Sequence, residues 1–272
     1  MKNVKIEVFP IARTMVDRNA VRRWLDHVGA DNYEVPTTDT ATDPALLIAL
    51  AAKRCYMSFE PGLNPNVTRV RSDLVEYFDN ILKSGHGSVL EHASYTFAIE
   101  GVSRVFTGEM NRHRAGWAIS EGSMRFIRFT DIPWWLPTSL EDQPGDNAEL
   151  LEKKRRTRDE FGRAFTDAEE HYKTLLDIWE MDSGNKNFSY KKKLTSCLRR
   201  IIPMGVATGG VWTGNIRALR HVIALRTSSA AEEEILLVFS MIAKSIRDTE
   251  PLLFGDFEQT TEGYWVPKYQ KV

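Results

Sequence analysis

The residues best suited to bind an anion form a short cluster, Arg112-His113-Arg114 followed by Ser120 to Arg125. Glycines at 116 and 122 let the backbone approach a phosphate, serine hydroxyls donate hydrogen bonds, and an arginine fork matches phosphate oxygens in pairs. The alternative interpretation is that these arginines bond the last carbonyls of a helix or remain solvated. For an arbitrary Arg-His-Arg triplet that second interpretation is the commoner one.

A second basic group lies further along the chain, embedded among apolar residues. On a helix, Arg217 and His221 are four residues apart and share a face, whereas Asn215 and Arg226 nearly eclipse one another. A helix with polar groups on two sides is either a surface helix or one buried between subunits beside a ligand, and both interpretations remain open. The arginines of this group are Arg199, Arg200, Arg217, Arg220 and Arg226.

The first cluster follows a predicted strand and helix. Apolar residues alternate with polar or small ones from Ala93 to Ile99, which predicts a strand. Ser103 is a suitable N-cap for a helix that runs toward Arg112. The segment from Gly116 to Gly122 is then predicted to be a loop, so that the Arg-His-Arg triplet lies at the boundary of an element.

Helical periodicity covers much of the remaining chain. The predicted helices are Ala45–Lys53, Val70–Ser84 with Gly85 ending it, the long amphipathic Glu152–Met181, Asn215–Arg226 and Ala231–Asp248. The few strands do not alternate with helices as they do in βαβ units. The sequence therefore predicts an α/β (α+β) fold, a mainly antiparallel sheet flanked by helices, in a single domain that covers residues 1–272.

Composition excludes several classes of protein. The 36 Lys and Arg residues nearly balance the 37 Asp and Glu residues, so no global basic field attracts nucleic acid or an anionic membrane. Cys55 and Cys197 have no metal-ligand spacing, which predicts no metal site, and we expect both to be buried as small apolar residues. Without a signal peptide or a long apolar run, the sequence predicts a soluble cytoplasmic protein with no membrane contact.

Three separated blocks of the chain form a recognisable pattern. The first is His86-Gly87-Ser88-Val89-Leu90-Glu91-His92 before Tyr95-Thr96-Phe97, and the second is Arg112-His113-Arg114 leading to Ser123-x-Arg125. The third is Arg200-Ile201-Ile202-Pro203 with Asn215-x-Arg217-Ala218-Leu219-x-His221 and Arg226. In this order and at this spacing, over Ala51–Phe126 and Arg199–Ile235, the blocks resemble those of the flavin-dependent thymidylate synthases.

The resemblance implies two sets of ligand residues. The set implied to line an FAD site is His86, Ser88, Glu91, Arg112, His113, Arg114, Asn215, Arg217 and His221. The set implied to bind the nucleotide is Glu109, Glu121, Gly122, Ser123, Met124, Arg125, Arg200 and Arg226. Ser123, Arg125 and Arg200 suit the 5′-phosphate, and Glu121 suits a ribose hydroxyl. Arg226 matches the arginine that faces the uracil ring, where it stabilises negative charge developing on the pyrimidine and acts as the electrostatic catalyst.

The reaction implied by the resemblance is methylation of C5 of dUMP to give dTMP. Methylenetetrahydrofolate supplies the carbon and NADPH is the reductant, through FAD, so no cysteine nucleophile is needed. The family's members are homotetramers with shared sites. The expected partners are therefore a pyrimidine nucleotide, a folate and further copies of the chain, and not nucleic acid.

Two departures from the family pattern concern the nucleotide. Eight residues separate Arg114 from Ser123 where the pattern has seven, and Glu109 stands where a glutamine is typical. A carboxylate there repels a phosphate or accepts a bond from another group. These departures motivate an alternative, a specialised relative that methylates UMP or dCMP. A third hypothesis, a non-catalytic nucleotide- or RNA-binding protein, is disfavoured by the neutral net charge and the lack of an aromatic-basic repeat.

Overall fold

The structure is a computed structural model, and it describes residues 2–67, 69–183 and 187–271. The helices are α1 (Arg18–His27), α2 (Asp43–Tyr56), α3 (Leu74–Lys83), α4 (Arg104–Met110), α5 (Ala148–Ile178), α6 (Phe188–Leu198), α7 (Ile216–Arg226), α8 (Glu233–Arg247) and α9 (Pro251–Phe254). The strands are β1 (Lys2–Asn3), β2 (Glu7–Arg13), β3 (Ser94–Ser103), β4 (Trp117–Glu121), β5 (Pro133–Trp134), β6 (Ala207–Asn215), β7 (Phe257–Gln259) and β8 (Trp265–Pro267). Short 3-10 helices cover Gly87–His92, Thr138–Leu140 and Arg199–Ile201.

The main sheet contains four strands in the order β2, β3, β6, β4. It is antiparallel, and with the surrounding helices it confirms the predicted fold class. Strand β3 buries Tyr95, Phe97 and Ile99, the alternate residues from which the strand was predicted. Over the residues that the structure describes there are also two small sheets, a parallel pair of β1 with β5 and an antiparallel pair of β7 with β8.

The chain divides into two compact units. Unit 1 contains Met1–Val8, Ala98–Arg112 and Ile119–Val211, and unit 2 contains Phe9–Phe97, His113–Ala118 and Trp212–Val272. The expectation of one single domain stays a prediction.

The core of unit 1 forms beneath the long helix α5. Phe165, Tyr172 and Leu176 of that helix are buried at close to helical spacing, as the amphipathic pattern predicts. They pack with Trp134, whose ring lies 5.3 Å from that of Phe165, and with residues before β6. The other buried members are Phe129, Ile132, Met181, Leu198, Ile202 and Val206.

Unit 2 has a core of α2 with α1 and a second one around α7 and α8. Leu25, Leu46 and Leu50 are almost fully buried where α1 packs on α2. Behind α7, the buried Arg220 forms a two-bond ion pair with Asp256, at 2.6 and 2.8 Å, and its guanidinium stacks over Phe257. Because both charges of this pair are satisfied, it fixes the C-terminal segment without leaving a buried charge unpaired.

Helix boundaries follow the capping residues. Ser103 accepts from the backbone of Val105 at the start of α4, as predicted, and Asn215 caps α7 by accepting from Ala218. Helix α3 begins later than predicted, because Asp73 caps it, accepting from the backbone N–H of Glu76 at 2.7 Å. The predicted break after α7 is confirmed by the stretch that separates it from α8.

Two other predictions are wrong. The segment from Gly116 to Gly122 is not a loop, because Trp117 to Glu121 form β4, in which Trp117, Ile119 and Glu121 are half-buried and the residues between them exposed. Cys55 and Cys197 are not buried, since both thiols are free and exposed on helices. Among the residues that the structure describes, no helix is both long and apolar enough to span a membrane.

Candidate functional site

A partly buried ion pair of unit 1 joins α4 to β4. Arg104, the first residue of α4, forms an ion pair of 2.9 Å with Glu121 and donates a second bond of 2.9 Å to the carbonyl of Gly122. The backbone N–H of Arg104 also donates to the carbonyls of Met204 and Val206. Arg104 therefore fixes the carboxylate of Glu121 and the chain that follows it.

This contact lines a cavity of about 700 Å³ in unit 1. Of the residues predicted to bind a nucleotide, Glu121, Gly122 and Met124 line it, and Ser123 does not. Oε2 of Glu121 and Nε of Arg104 are buried without a hydrogen-bond partner. A buried acceptor and a buried donor without partners suit a polar ligand, because such a ligand can supply the missing bonds. The remaining charged residues of the lining are Glu100, Arg128 and Asp131.

Gly122 allows the chain to run close to β6. Its N–H donates to the carbonyl of Gly209 at 2.8 Å, and a Cβ at residue 122 would lie 2.5 Å from Oγ1 of Thr208. A side chain at this position would therefore collide with β6. The glycine that sequence reasoning attributed to phosphate approach is required first by strand packing.

The remaining predicted nucleotide residues are spread along unit 1. The Ser123 hydroxyl accepts from the N–H of Arg125 at 3.4 Å, and the guanidinium of Arg125 is exposed. Arg200 is exposed and donates to the carbonyls of Ser196 and Cys197 at the end of α6. In the described ranges neither the guanidinium of Arg125 nor that of Arg200 bonds to the Ser123 hydroxyl, so the structure does not assemble these three side chains into one phosphate cradle.

Glu109 and Arg112 form a local pair in unit 1. The guanidinium of Arg112 lies 3.7 Å from the carboxylate of Glu109, one helical turn earlier. At 72% side-chain exposure Arg112 stays open to solvent, whereas Glu109 is half-buried. The carboxylate therefore offsets part of the charge that Arg112 would present to an anion.

In unit 2, the first turn of α7 pairs with the 3-10 helix Gly87–His92. Arg217 forms an ion pair of 2.6 Å with Glu91, and both side chains are about half exposed. The N–H of Ile216 donates to the carbonyl of Ala93, so the backbone also joins the two segments. Arg217 and Glu91, predicted from two separate blocks, are thus direct partners.

The last turn of α7 contacts the Arg-His-Arg triplet. Nε of Arg226 donates to Nε2 of His113 at 2.7 Å. Since Nε2 is the acceptor, the contact assigns the ring proton of His113 to Nδ1. Two blocks more than one hundred residues apart in the sequence meet at this bond.

Gly116 brings the triplet's loop against the start of α7. It has a φ of +75°, and a Cβ there would lie 2.6 Å from Nδ2 of Asn215. The Asn215 N–H donates to the Gly116 carbonyl at 2.9 Å. Trp117 follows and packs edge-to-face on Phe239 of α8, so its bulk faces the core of unit 2.

Of the other predicted flavin residues of unit 2, His86 is half-buried and the rest are exposed. The His86 ring packs edge-to-face on that of Tyr56, at 5.8 Å between centroids, and its backbone N–H donates to Ile81. Ser88 and His221 are exposed, as is Arg114, whose carbonyl accepts from Trp117. Their donors remain accessible to a ligand.

Comparison with known proteins identifies the family of this chain. The family model described as thymidylate synthase complementing protein matches residues 38–252. A flavin-dependent thymidylate synthase of Mycobacteroides abscessus is 35% identical over 225 residues, covering 83% of this chain and 84% of its own. One of Mycolicibacterium vanbaalenii is 34% identical with the same coverage. The chain belongs to the flavin-dependent thymidylate synthase family.

Solved structures share the fold of this thymidylate synthase family member. The UMP/dUMP methylase PolB from Streptomyces cacaoi, bound with 5-Br dUMP, has a TM-score of 0.63 and 18% identity, covering 94% of this chain and 96% of its own. Thymidylate synthase X from Helicobacter pylori, with FAD and dUMP, has a TM-score of 0.55 and 19% identity, covering 92% and 97%. All predicted site residues of the family member lie within the matched residues 38–252.

Sequence reasoning missed Arg104 in this family member. It was considered only as part of a helix that runs toward Arg112, yet it holds Glu121 and lines the cavity. The sequence did contain a feature that could have identified Arg104 as a site residue. It directly follows the N-cap Ser103 and so lies at the end of a buried strand. Charged residues that follow the end of a strand are candidates for ligand binding, because binding residues concentrate where the elements of the scaffold end.

The donors of unit 2 fit the chemistry of a flavin cofactor that carries a diphosphate. The predicted flavin residues of unit 2 are cationic or neutral, except for Glu91. The carboxylate of Glu91 is paired with Arg217. Exposed Arg114 and His221 can donate to phosphate oxygens, and the Ser88 hydroxyl can donate or accept. This family member therefore retains a donor set suited to an anionic dinucleotide.

Proposed function

We propose that this protein binds FAD and methylates C5 of dUMP to give dTMP, with methylenetetrahydrofolate as carbon donor and NADPH as reductant. The observation that carries the proposal is the hydrogen bond of 2.7 Å between Arg226 and His113. It joins the Arg-His-Arg triplet to the C-terminal block, and these are the two blocks on which flavin and nucleotide binding depend in the family resemblance.

The residues proposed to hold FAD are those whose donors suit a dinucleotide. They are His86, Ser88, Glu91, Arg112, His113, Arg114, Asn215, Arg217 and His221. When bound, the flavin would carry hydride from the reductant to the methyl group being formed. Arg114 and Arg217 would bind phosphate, and Nδ2 of the half-buried Asn215 would donate to a ring or ribose oxygen, since its Oδ1 already accepts from Ala218.

The residues proposed to bind the nucleotide are Glu109, Glu121, Gly122, Ser123, Met124, Arg125, Arg200 and Arg226. Glu121 is held by Arg104 and keeps Oε2 without a partner, so it can accept from a ribose hydroxyl. Arg226 is the proposed catalyst: its cation would stabilise negative charge on the uracil as C5 becomes nucleophilic. His113, by accepting from Nε, would orient the guanidinium.

We also propose that the active protein is a cytoplasmic homotetramer. The support is the family resemblance together with the distribution of the ligand residues over separate blocks. Sedimentation or light scattering of the purified protein tests the oligomeric state directly.

A second candidate substrate is UMP or dCMP. Glu109 favours it, because a half-buried carboxylate, 3.7 Å from Arg112, stands where a glutamine is typical of the family. The same carboxylate can accept a hydrogen bond from a hydroxyl or an amine that dUMP lacks.

The test combines flavin binding with product analysis. Purified protein is expected to show flavin absorbance or to take up FAD. A protein that shows no flavin absorbance and takes up no FAD would overturn the proposal. Incubation with NADPH, methylenetetrahydrofolate and separately dUMP, UMP and dCMP, with mass detection, then identifies the substrate. Turnover of UMP or dCMP without turnover of dUMP would establish the second candidate in place of the first.

A variant pair addresses the role of Arg226. Arg226→Ala is expected to lose methylation and keep its flavin, because the catalytic charge is removed while all the proposed flavin residues remain. Arg163→Ala, which removes an exposed arginine of α5, is the matched control and should keep full activity. Unchanged turnover in Arg226→Ala contradicts the assignment.

A further inference from the structure

Helix α6 has one face in the core of unit 1 and the opposite face in solvent. Leu198 is buried in the hydrophobic cluster, and Leu194 packs against it. Lys193, Cys197 and Arg200 are exposed and, at spacings of four and three residues, follow one side of the helix and its 3-10 extension. The helix therefore presents a basic face to solvent.

Two exposed aromatic rings lie near the start of the same helix, beside Lys192, the residue that precedes Lys193. Phe126 and Phe188 are 53% and 69% exposed, although their rings stack at 6.1 Å between centroids. Nζ of Lys192, one turn after Phe188, lies 4.7 Å from the centroid of Phe126. Adjacent exposed phenylalanines form an apolar patch of the kind that marks a binding surface, and the ring holds the lysine charge in a fixed place.

The chain around this surface contains few acidic residues. No Asp or Glu occurs between Asp182 and Glu232, although the whole chain has a net charge of -1. Asp182 is itself paired with Arg128. Positive charge that is local in a nearly neutral protein favours a short ligand with several anionic groups over a long nucleic acid.

We propose that this surface, Phe126, Phe188, Lys192 and Lys193, binds the poly-γ-glutamyl tail of the folate cosubstrate. The inference rests on the proposed function. The carbon donor must reach C5 of the nucleotide, so its pterin end lies at the nucleotide and its glutamyl end leads away from it. The surface begins at Phe126, directly after the proposed phosphate ligand Arg125, and its two lysines offer successive carboxylates their counter-charges. The rings cover the methylene groups of the tail.

Direct binding of free penta-γ-glutamate, which has no pterin, tests the proposal without turnover. Calorimetry with wild-type protein is expected to show binding that weakens as salt is raised. The double variant Lys192→Ala/Lys193→Ala is expected to bind about tenfold more weakly, the scale of two exposed ion pairs. The control Lys153→Ala/Lys173→Ala removes the same charge from exposed sites on α5 and should bind as wild type.

Three outcomes would overturn the proposal. They are no binding by the wild-type protein, an equal loss in the α5 control, and tighter binding of a single-stranded oligonucleotide that is lost in the same double variant. The last would assign the surface to nucleic acid instead. Because the peptide assay needs no catalysis, its result is independent of whether dUMP is methylated.

Kinetics give a second readout with the complete cosubstrate. The Lys192→Ala/Lys193→Ala variant is expected to raise KM for pentaglutamyl methylenetetrahydrofolate about tenfold and to leave KM for the monoglutamyl form unchanged. Equal changes for both forms would show that the lysines act elsewhere than on the tail.

Discussion

Arg226 donates from Nε to Nε2 of His113 across 2.7 Å, and this bond holds the end of α7 against the Arg-His-Arg triplet. The direction of the bond matters, because a neutral His113 can accept from a cation whereas a protonated one would repel it. The proposed catalytic charge therefore depends on a neighbour that sequence reasoning had assigned only to the cofactor.

Removing the acceptor at His113 should disturb Arg226. We expect His113→Ala to reduce turnover by tenfold to one hundredfold, about 1.5–3 kcal/mol for a hydrogen bond to a charged group. His113→Gln places an amide oxygen near the position of Nε2 and should recover part of that loss. Steady-state kinetics and flavin content measure both effects, with His171→Gln on exposed α5 as the control. Equal activity in the two His113 variants would contradict the acceptor role.

Arg104 should act on the nucleotide through Glu121. Arg104→Met is expected to raise KM for dUMP about tenfold, because the ion pair of 2.9 Å that orients Glu121 is lost. If Arg104 works by positioning Glu121, then Glu121→Gln should add little to Arg104→Met, and the double variant shows it. Fully additive effects on KM would mean that the two residues act separately. Arg163→Met is the surface control.

The ion pair of Glu91 with Arg217 should contribute more to FAD affinity than to the free energy of unfolding. Both side chains are about half exposed, so Glu91→Ala is expected to change the free energy of unfolding by less than about 1 kcal/mol. Arg217, no longer positioned by Glu91, is expected to bind FAD several-fold more weakly, measured as retained flavin and by titration. A large fall in melting temperature with unchanged FAD affinity would reverse this assignment.

Lys53 should make stability depend on pH. Burial lowers the pKa of Lys53 from 10.5 to about 8. The folded state therefore binds fewer protons than the unfolded state between these values, and stability should rise with pH in that window, by up to about 1.4 kcal/mol per pH unit. Burial raises the pKa of the neighbouring Tyr33 from 10.0 to about 12, so in the folded state that tyrosine keeps its proton throughout the window.

Urea unfolding between about pH 7 and pH 10 measures this slope. Lys53→Met is expected to flatten it, because the buried amine that takes up a proton on unfolding is absent. The amine donates to the carbonyls of Ser58 and Arg71, so the variant also loses two bonds, and the comparison concerns the slope and not the absolute stability. An equal slope in the variant would rule out Lys53 as the origin.

Local chemistry predicted most of the elements. Helices α2, α5, α7 and α8 were predicted because their apolar residues recur at helical spacing, and the caps at Ser103 and Asn215 follow from side chains that bond their own backbone. Strand β4 was missed although Trp117, Ile119 and Glu121 alternate. The glycines at its two ends, which are required by contact with Asn215 and Thr208, are also typical of loops.

The candidate site was predicted in its residue types but not in its contacts. The sequence by itself determined the family, because three blocks of polar residues at fixed spacing are specific. It also determined where α4 and α7 begin, from their capping residues Ser103 and Asn215. Only the tertiary structure decided that Arg226 bonds His113, that Arg217 pairs with Glu91, that Arg104 holds Glu121, and that both cysteines are exposed. Such pairs join residues far apart in the chain, and the packing that brings them together depends on the shapes of whole elements, which no local pattern contains.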